Sequence, residues 1–104
     1  MRVAALGDVI EGEGLCITTA GDPVALFRVG DEIYCIDDTC THAQASLSEG
    51  EQDGPIVTCP LHGAQFDVRT GKVVRLPATR RVRTYPVEIR GQDIWVGFEA
   101  DEDD

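Results

Sequence analysis

Apolar and polar positions alternate over short distances along this chain, and Gly, Asp or Pro breaks the runs every few residues. Leu15–Thr18 reads as a strand that ends at a turn over Gly21-Asp22-Pro23. Val24–Val29 and Glu32–Ile36 are apolar or β-branched runs joined at Gly30-Asp31, which predicts a hairpin. Pro55–Thr58 and Gln65–Val68 supply two further strands, the second followed by a turn at Thr70-Gly71. Thr84–Arg90 and Asp93–Phe98 form a last hairpin about Gly91-Gln92, with Tyr85, Val87 and Ile89 on one face and Ile94, Val96 and Phe98 alternating likewise. Val9 and Ile10 are expected in a short N-terminal turn, and Ala43–Leu47 in one helical turn. No long 3.6-residue period is present, so helix content should be low. Short strands at this spacing predict an all-β fold, a small antiparallel sandwich or barrel.

The chain has 104 residues, which predicts one domain spanning 1–104 with a modest core. No run is long enough to span a bilayer, so no membrane association is expected. The N-terminal Met1–Asp8 lacks the apolar core and cleavage site of a signal peptide, so the expected location is cytoplasmic. In that reducing compartment Cys16 and Cys35, both in strand-like runs, are expected to be buried thiols rather than a disulfide.

Charge is unevenly distributed. The formal net charge is −10; residues 1–68 hold two basic and twelve acidic side chains, whereas 69–104 hold seven of each. Phosphate would repel such a chain, so no nucleic acid is expected as a partner. The segment Arg69–Arg83 holds six basic residues and no acid: Arg69, Lys72, Arg75, Arg80, Arg81 and Arg83. The simplest reading is a solvated face; the sharper one is a surface that orients docking. Asp37, Asp38 and Glu49, near the first ligand loop, are rival docking candidates. The acidic residues 99–104 read as a solvated tail.

Chemistry concentrates in two Cys-His pairs. Cys40-Thr41-His42 and Cys59-Pro60-Leu61-His62 are separated by sixteen residues and use both histidines of the chain. A zinc finger usually groups its cysteines in one half and its histidines in the other. Here each loop supplies one thiolate and one imidazole, which suits a centre with two unlike metal positions, such as a two-iron, two-sulfide cluster. A structural zinc site is the competing metal reading, and two buried cysteines beside two satisfied histidines the non-metal one.

The spacing, with Asp37-Asp38-Thr39 before the first pair and Gly63–Asp67 after the second, resembles the Rieske iron–sulfur motif. The resemblance runs from about Leu15 to Phe98 and is strongest to the small ferredoxins that feed electrons to bacterial aromatic-ring-hydroxylating oxygenases. It implies a Rieske fold, with a two-loop cluster-binding subdomain at about 38–78 inserted in the sandwich. It further implies one [2Fe-2S] cluster bound by Cys40, His42, Cys59 and His62, with the histidines on the outer iron. Leu76-Pro77-Ala78 resembles the proline segment that covers the cluster in this family.

Departures from the respiratory members of the family also carry information. Ala45 and Leu61 stand where those members have a disulfide, and Ala64 and Phe66 stand where they place a serine and a tyrosine that bond the cluster sulfurs. A hydrogen bond to sulfur favours the reduced cluster, so losing two implies a potential near the low end of the range, on the order of −150 mV. The implied function is a low-potential electron carrier in aromatic hydrocarbon catabolism. It would pass single electrons from an NAD(P)H-dependent flavin-containing ferredoxin reductase to a terminal Rieske oxygenase, and would act as a monomer. It would not itself be the enzyme, since a mononuclear iron site would need further histidines and both are used. The alternative is a Rieske-like small subunit or regulatory module, as in assimilatory nitrite reductase.

Overall fold

A computed structural model describes residues 1–19, 21–41, 44–61, 63–76 and 80–98. Eleven short strands account for the regular structure among them: β1 (Arg2–Ala5), β2 (Leu15–Ile17), β3 (Val24–Val29), β4 (Glu32–Asp37), β5 (Glu51–Asp53), β6 (Ile56–Thr58), β7 (Gln65–Asp67), β8 (Val73–Arg75), β9 (Thr84–Tyr85), β10 (Val87–Arg90) and β11 (Asp93–Val96). They form three antiparallel sheets, ordered β1-β11-β10, β2-β3-β4-β9 and β5-β6-β7-β8. The helical content described is two 3₁₀ turns, Leu6–Asp8 and Leu47–Glu49.

The sheet β2-β3-β4-β9 is the middle layer, and β3 shows why. Val24, Ala25, Leu26 and Phe27 are all fully buried. Because successive side chains point to opposite faces, Val24 and Leu26 enter one core and Ala25 and Phe27 the other. On β4, Ile33 and Cys35 join the first core and Ile36 the second. A strand covered on both faces reads as a continuous apolar run rather than an alternating one, as Val24–Phe27 does. The first core is closed by Ala4, Ile94 and Val96 from the outer sheet and by Val9, which follows the first 3₁₀ turn. The second is closed by Leu47, Val57, Ala64, Phe66, Val68 and Val82, and it contains Cys40 and Cys59.

Several expectations need adjusting. The run Thr84–Arg90 is two strands, because Pro86 has no N–H to give a ladder: β9 pairs with β4, and β10 with β11. β1, β5 and β8 were not expected. The strand expected over Asp93–Phe98 ends at Val96. Leu47–Glu49 carries the turn near the first ligand loop, while Ala43, at the start of the turn expected there, lies outside the described residues. Cys35 is buried, but Cys16 is exposed, because the edge strand β2 turns it away from both cores; no disulfide joins any of the four cysteines.

Candidate metal centre

Two successive hairpins build the candidate site. In the first, the chain leaves β4 and narrows rung by rung. Leu47 N–H donates to the Asp38 carbonyl at 2.6 Å, Thr39 bridges Ser46, and Cys40 N–H donates to the Ala45 carbonyl at 3.0 Å. In the second, β6 and β7 pair Ile56 with Asp67, Val57 with Phe66 and Thr58 with Gln65. Cys59 N–H then donates to the Ala64 carbonyl at 2.7 Å. Each hairpin is thus closed by the amide of a cysteine bonding to the residue five positions ahead. The closed segments 40–45 and 59–64 each contain one histidine by sequence.

Gly50 lets the two hairpins approach. A Cβ there would lie on the Thr58 carbonyl, one residue before Cys59. Any side chain would force apart the end of the first hairpin and the start of the second. Gln65 fixes the final rung of the second with a side-chain bond from Nε2 to Thr58 Oγ1 at 3.0 Å.

Cys40 and Cys59 are buried in the same core cluster as Ala64 and Phe66, and Cys40 is a side-chain hydrogen-bond partner of Cys59. Burial pushes the Cys59 thiol up most strongly. The Leu61 backbone amide draws it down, and the neighbouring Cys40 adds to the rise. A desolvated Cys59 thiol with the Cys40 sulfur beside it in the same core cluster forms a place where a cation is favourable, since its charge would stabilise the thiolate. With two imidazoles available in the same closed loops, the donor set fits a centre with paired sulfur and paired nitrogen ligands. His42, His62 and the segment 77–79 containing Pro77 lie outside the described residues.

The other candidates sort differently. Cys35 belongs to the opposite core, where burial, then Asp37, pushes its thiol up to about 12. Asp38 is 2 % exposed, so it is not a docking residue. Its Oδ1 accepts from Ser48 N–H at 2.9 Å and its Oδ2 from the Cys16 thiol at 3.7 Å, while its own N–H donates to the Pro23 carbonyl. It anchors the base of the first hairpin. Asp37 is also engaged: Tyr85 donates its hydroxyl to Oδ1 at 2.5 Å and Arg83 its N–H to Oδ2 at 3.3 Å. Glu49 is exposed. Sequence reasoning missed the anchoring role of Asp38, which no local pattern separates from Asp37.

The chain matches the Rieske [2Fe-2S] domain family over residues 1–86. It is 50 % identical over 92 residues to the 3-phenylpropionate/cinnamic acid dioxygenase ferredoxin subunit of Shigella boydii serotype 4 (strain Sb227), covering 88 % of this chain and 86 % of that protein. Its fold superposes on the Sphingomonas yanoikuyae B1 ferredoxin with a TM-score of 0.92 at 32 % identity, over 95 % of this chain and 98 % of that one. It also superposes on a chain from the complex of reduced oxygenase and oxidized ferredoxin in carbazole 1,9a-dioxygenase, with a TM-score of 0.89 at 38 % identity, over 93 % and 100 % of the two chains.

Proposed function

The chain belongs to the Rieske [2Fe-2S] domain family, and on that premise we propose that Cys40, His42, Cys59 and His62 are the ligands of its single cluster. When bound, the cluster takes up and releases one electron at a time. The protein's own contribution is to hold the two thiols in one buried cluster and to close each ligand loop at its cysteine amide. The role is electron carriage, as for the ferredoxin relatives, and not oxygenation.

We assign the partners as a flavin-containing ferredoxin reductase on the donor side and the terminal oxygenase of an aromatic-ring dioxygenase system on the acceptor side. The complex of oxygenase and ferredoxin formed by the carbazole 1,9a-dioxygenase neighbour supports the second. No helix among the described residues is long and apolar enough to cross a membrane, and a cytoplasmic monomer is part of the proposal. So is a domain spanning 1–104 in which about 38–78 form the cluster-binding subdomain. A small-subunit role, as in nitrite reductase, is the weaker reading beside a ferredoxin relative at 50 % identity.

The observation that carries the reading is the pair of buried cysteines that two matched hairpins bring into one core cluster. Its test is low-temperature EPR of anaerobically purified, dithionite-reduced protein. A rhombic signal with an average g value below that of an all-cysteine two-iron cluster is expected, and His62→Cys should change it. A colourless, EPR-silent protein that holds zinc would overturn the assignment.

A further inference from the structure

Charge is divided in space as well as along the chain. In the ligand-bearing sheet, β5 forms one edge and carries exposed Glu51 and Asp53; β8 forms the other and carries exposed Arg75. The middle sheet repeats the polarity. Glu11 and Glu13 precede its edge strand β2, and Arg80, Arg81 and Arg83 precede its opposite edge strand β9. Hydrogen bonds join like to like. Gly12 N–H donates to Gln52 Oε1 at 3.1 Å, tying the two acidic edges together. On the other side, Val82 N–H donates to the Gly71 carbonyl at 2.9 Å, and Arg81 Nη2 donates to the Thr70 carbonyl at 2.7 Å.

The basic side is coupled to the candidate site. Thr41, next to Cys40, donates its hydroxyl to the Arg80 carbonyl at 2.6 Å. Thr41, Asp37 and Arg80–Thr84 line an open groove there. Arg69 is neutralised by Asp67 at 2.8 Å, but Lys72, Arg75, Arg80 and Arg81 form no salt bridge with any described carboxylate. An acidic molecule thus presents, along β8 and beside its first ligand loop, the guanidinium groups of Arg75, Arg80 and Arg81 without a salt bridge to any described carboxylate.

We infer that this basic edge, from β8 through Arg80–Arg83 to β9, is the docking face for a carboxylate-rich protein surface of one redox partner. The inference rests on the electron-carrier reading. The sign of the whole molecule does not decide the matter at contact. At physiological ionic strength the Debye length is about 8 Å, so the local cations dominate, whereas at about 0.01 M it is about 30 Å and the net charge of −10 is felt. An anionic partner is therefore repelled at very low salt, attracted at intermediate salt, and screened at high salt. Its electron-transfer rate should pass through a maximum.

The probe is hexacyanoferrate(III), which stands in for the anionic surface. It takes one electron from the dithionite-reduced, cluster-loaded protein and becomes hexacyanoferrate(II). Stopped-flow rates are measured from 0.01 to 1 M salt against the cationic oxidant cobalt(III) tris-phenanthroline. For hexacyanoferrate a maximum is expected near 0.1 M, and Arg75→Gln with Arg80→Gln should lower the rate there by roughly fivefold. Glu51→Gln with Asp53→Asn, on the opposite edge, should not lower it. Each variant is first checked by EPR. If no reducible signal forms in the unmodified protein, the carrier reading has failed. If the signal is intact and the arginine pair leaves the hexacyanoferrate rate unchanged at all salts, the docking face is refuted.

Discussion

Replacing Gly71 by alanine adds one carbon at a place where two parts of the site are held together. Gly71 has φ +78°, and a Cβ built there would lie 2.2 Å from the Val82 carbonyl oxygen and 3.1 Å from Thr84 Cγ2. Contacts below 3.0 Å are not tolerated, so the carbonyl must retreat by about 0.8 Å. That carbonyl belongs to the segment that Thr41 binds, and Val82 is itself fully buried in the ligand-side core. The left-handed conformation costs a side chain about 1–2 kcal/mol. Displacing packed backbone adds about 1–3 kcal/mol. The expected loss is therefore about 2–5 kcal/mol, a large part of the roughly 5–15 kcal/mol available to a small domain. Gly30 supplies the control. Its φ is +62°, but a Cβ there meets nothing within 4 Å, so Gly30→Ala should cost only the conformational part, about 1–2 kcal/mol. Urea unfolding followed by circular dichroism, with both variants in the same metal state, measures the difference. At a slope of about 1–3 kcal/mol per molar, Gly71→Ala should unfold at a midpoint lower than Gly30→Ala by on the order of 1 M. Equal midpoints would refute the close approach of the β7–β8 turn to Val82.

Three further outcomes are expected. The Arg69 side chain, through its hydrogen bonds, holds the Asp67 carboxyl below its ordinary 3.8. Since the folded value is the lower one, this contribution is complete above about pH 4 and is lost as pH falls through the depressed value; Asp67→Asn should flatten the acid limb of a stability–pH curve, and identical limbs would rule the pair out. Iodoacetamide applied to the native protein at pH 8, read by peptide mass spectrometry, should label exposed Cys16 and spare Cys35, whose thiol is buried and pushed up to about 12. Ala64→Ser and Phe66→Tyr introduce hydroxyls into the core cluster that holds both site thiols. Each should raise the reduction potential by on the order of 50 mV in protein-film voltammetry, and an unchanged or lowered potential would contradict the reasoning from the missing sulfur hydrogen bonds.

Legibility in the sequence followed the range of the forces involved. The β3–β4 hairpin was readable because Val24–Val29 and Glu32–Ile36 are apolar and Gly30 supplies a positive φ between them. The spacing of the two Cys-His pairs singled out Cys40 and Cys59, which the fold brings into one core cluster. β5 was not, because Glu51-Gln52-Asp53 has no β-forming character; it is a strand because β6 pairs with it and Gln52 Nε2 donates to the Arg28 and Gly54 carbonyls at 2.7 and 2.9 Å. The Asp53-Gly54 step, with Gly54 at φ +58°, was the available turn signal. β1 was hidden for another reason: its partner, β11, lies at the far end of the chain. The exposure of Cys16 and the burial of Asp38 reversed what their residue types suggest. Cys16 sits on an edge strand that turns it outward, and Asp38 is held inward by the Ser48 N–H and the Pro23 carbonyl, the thiol adding a contact at 3.7 Å.

The first and last of the described strands, β1 and β11, meet in one ladder. Arg2 pairs with Trp95, and the terminal ammonium donates to the Val96 carbonyl at 3.1 Å. By contrast β5, β6, β7 and β8 are neighbours both in sequence and in space. During synthesis, at about 5–20 residues per second, the β5–β8 meander is made before β11. The outer sheet then lacks its central strand, and Ala4, Val24 and Leu26 remain without the cover of Ile94 and Val96. Order of synthesis thus separates two sets of pairings: those of β5–β8 are local and available early, whereas the cover of Ala4, Val24 and Leu26 waits for β11.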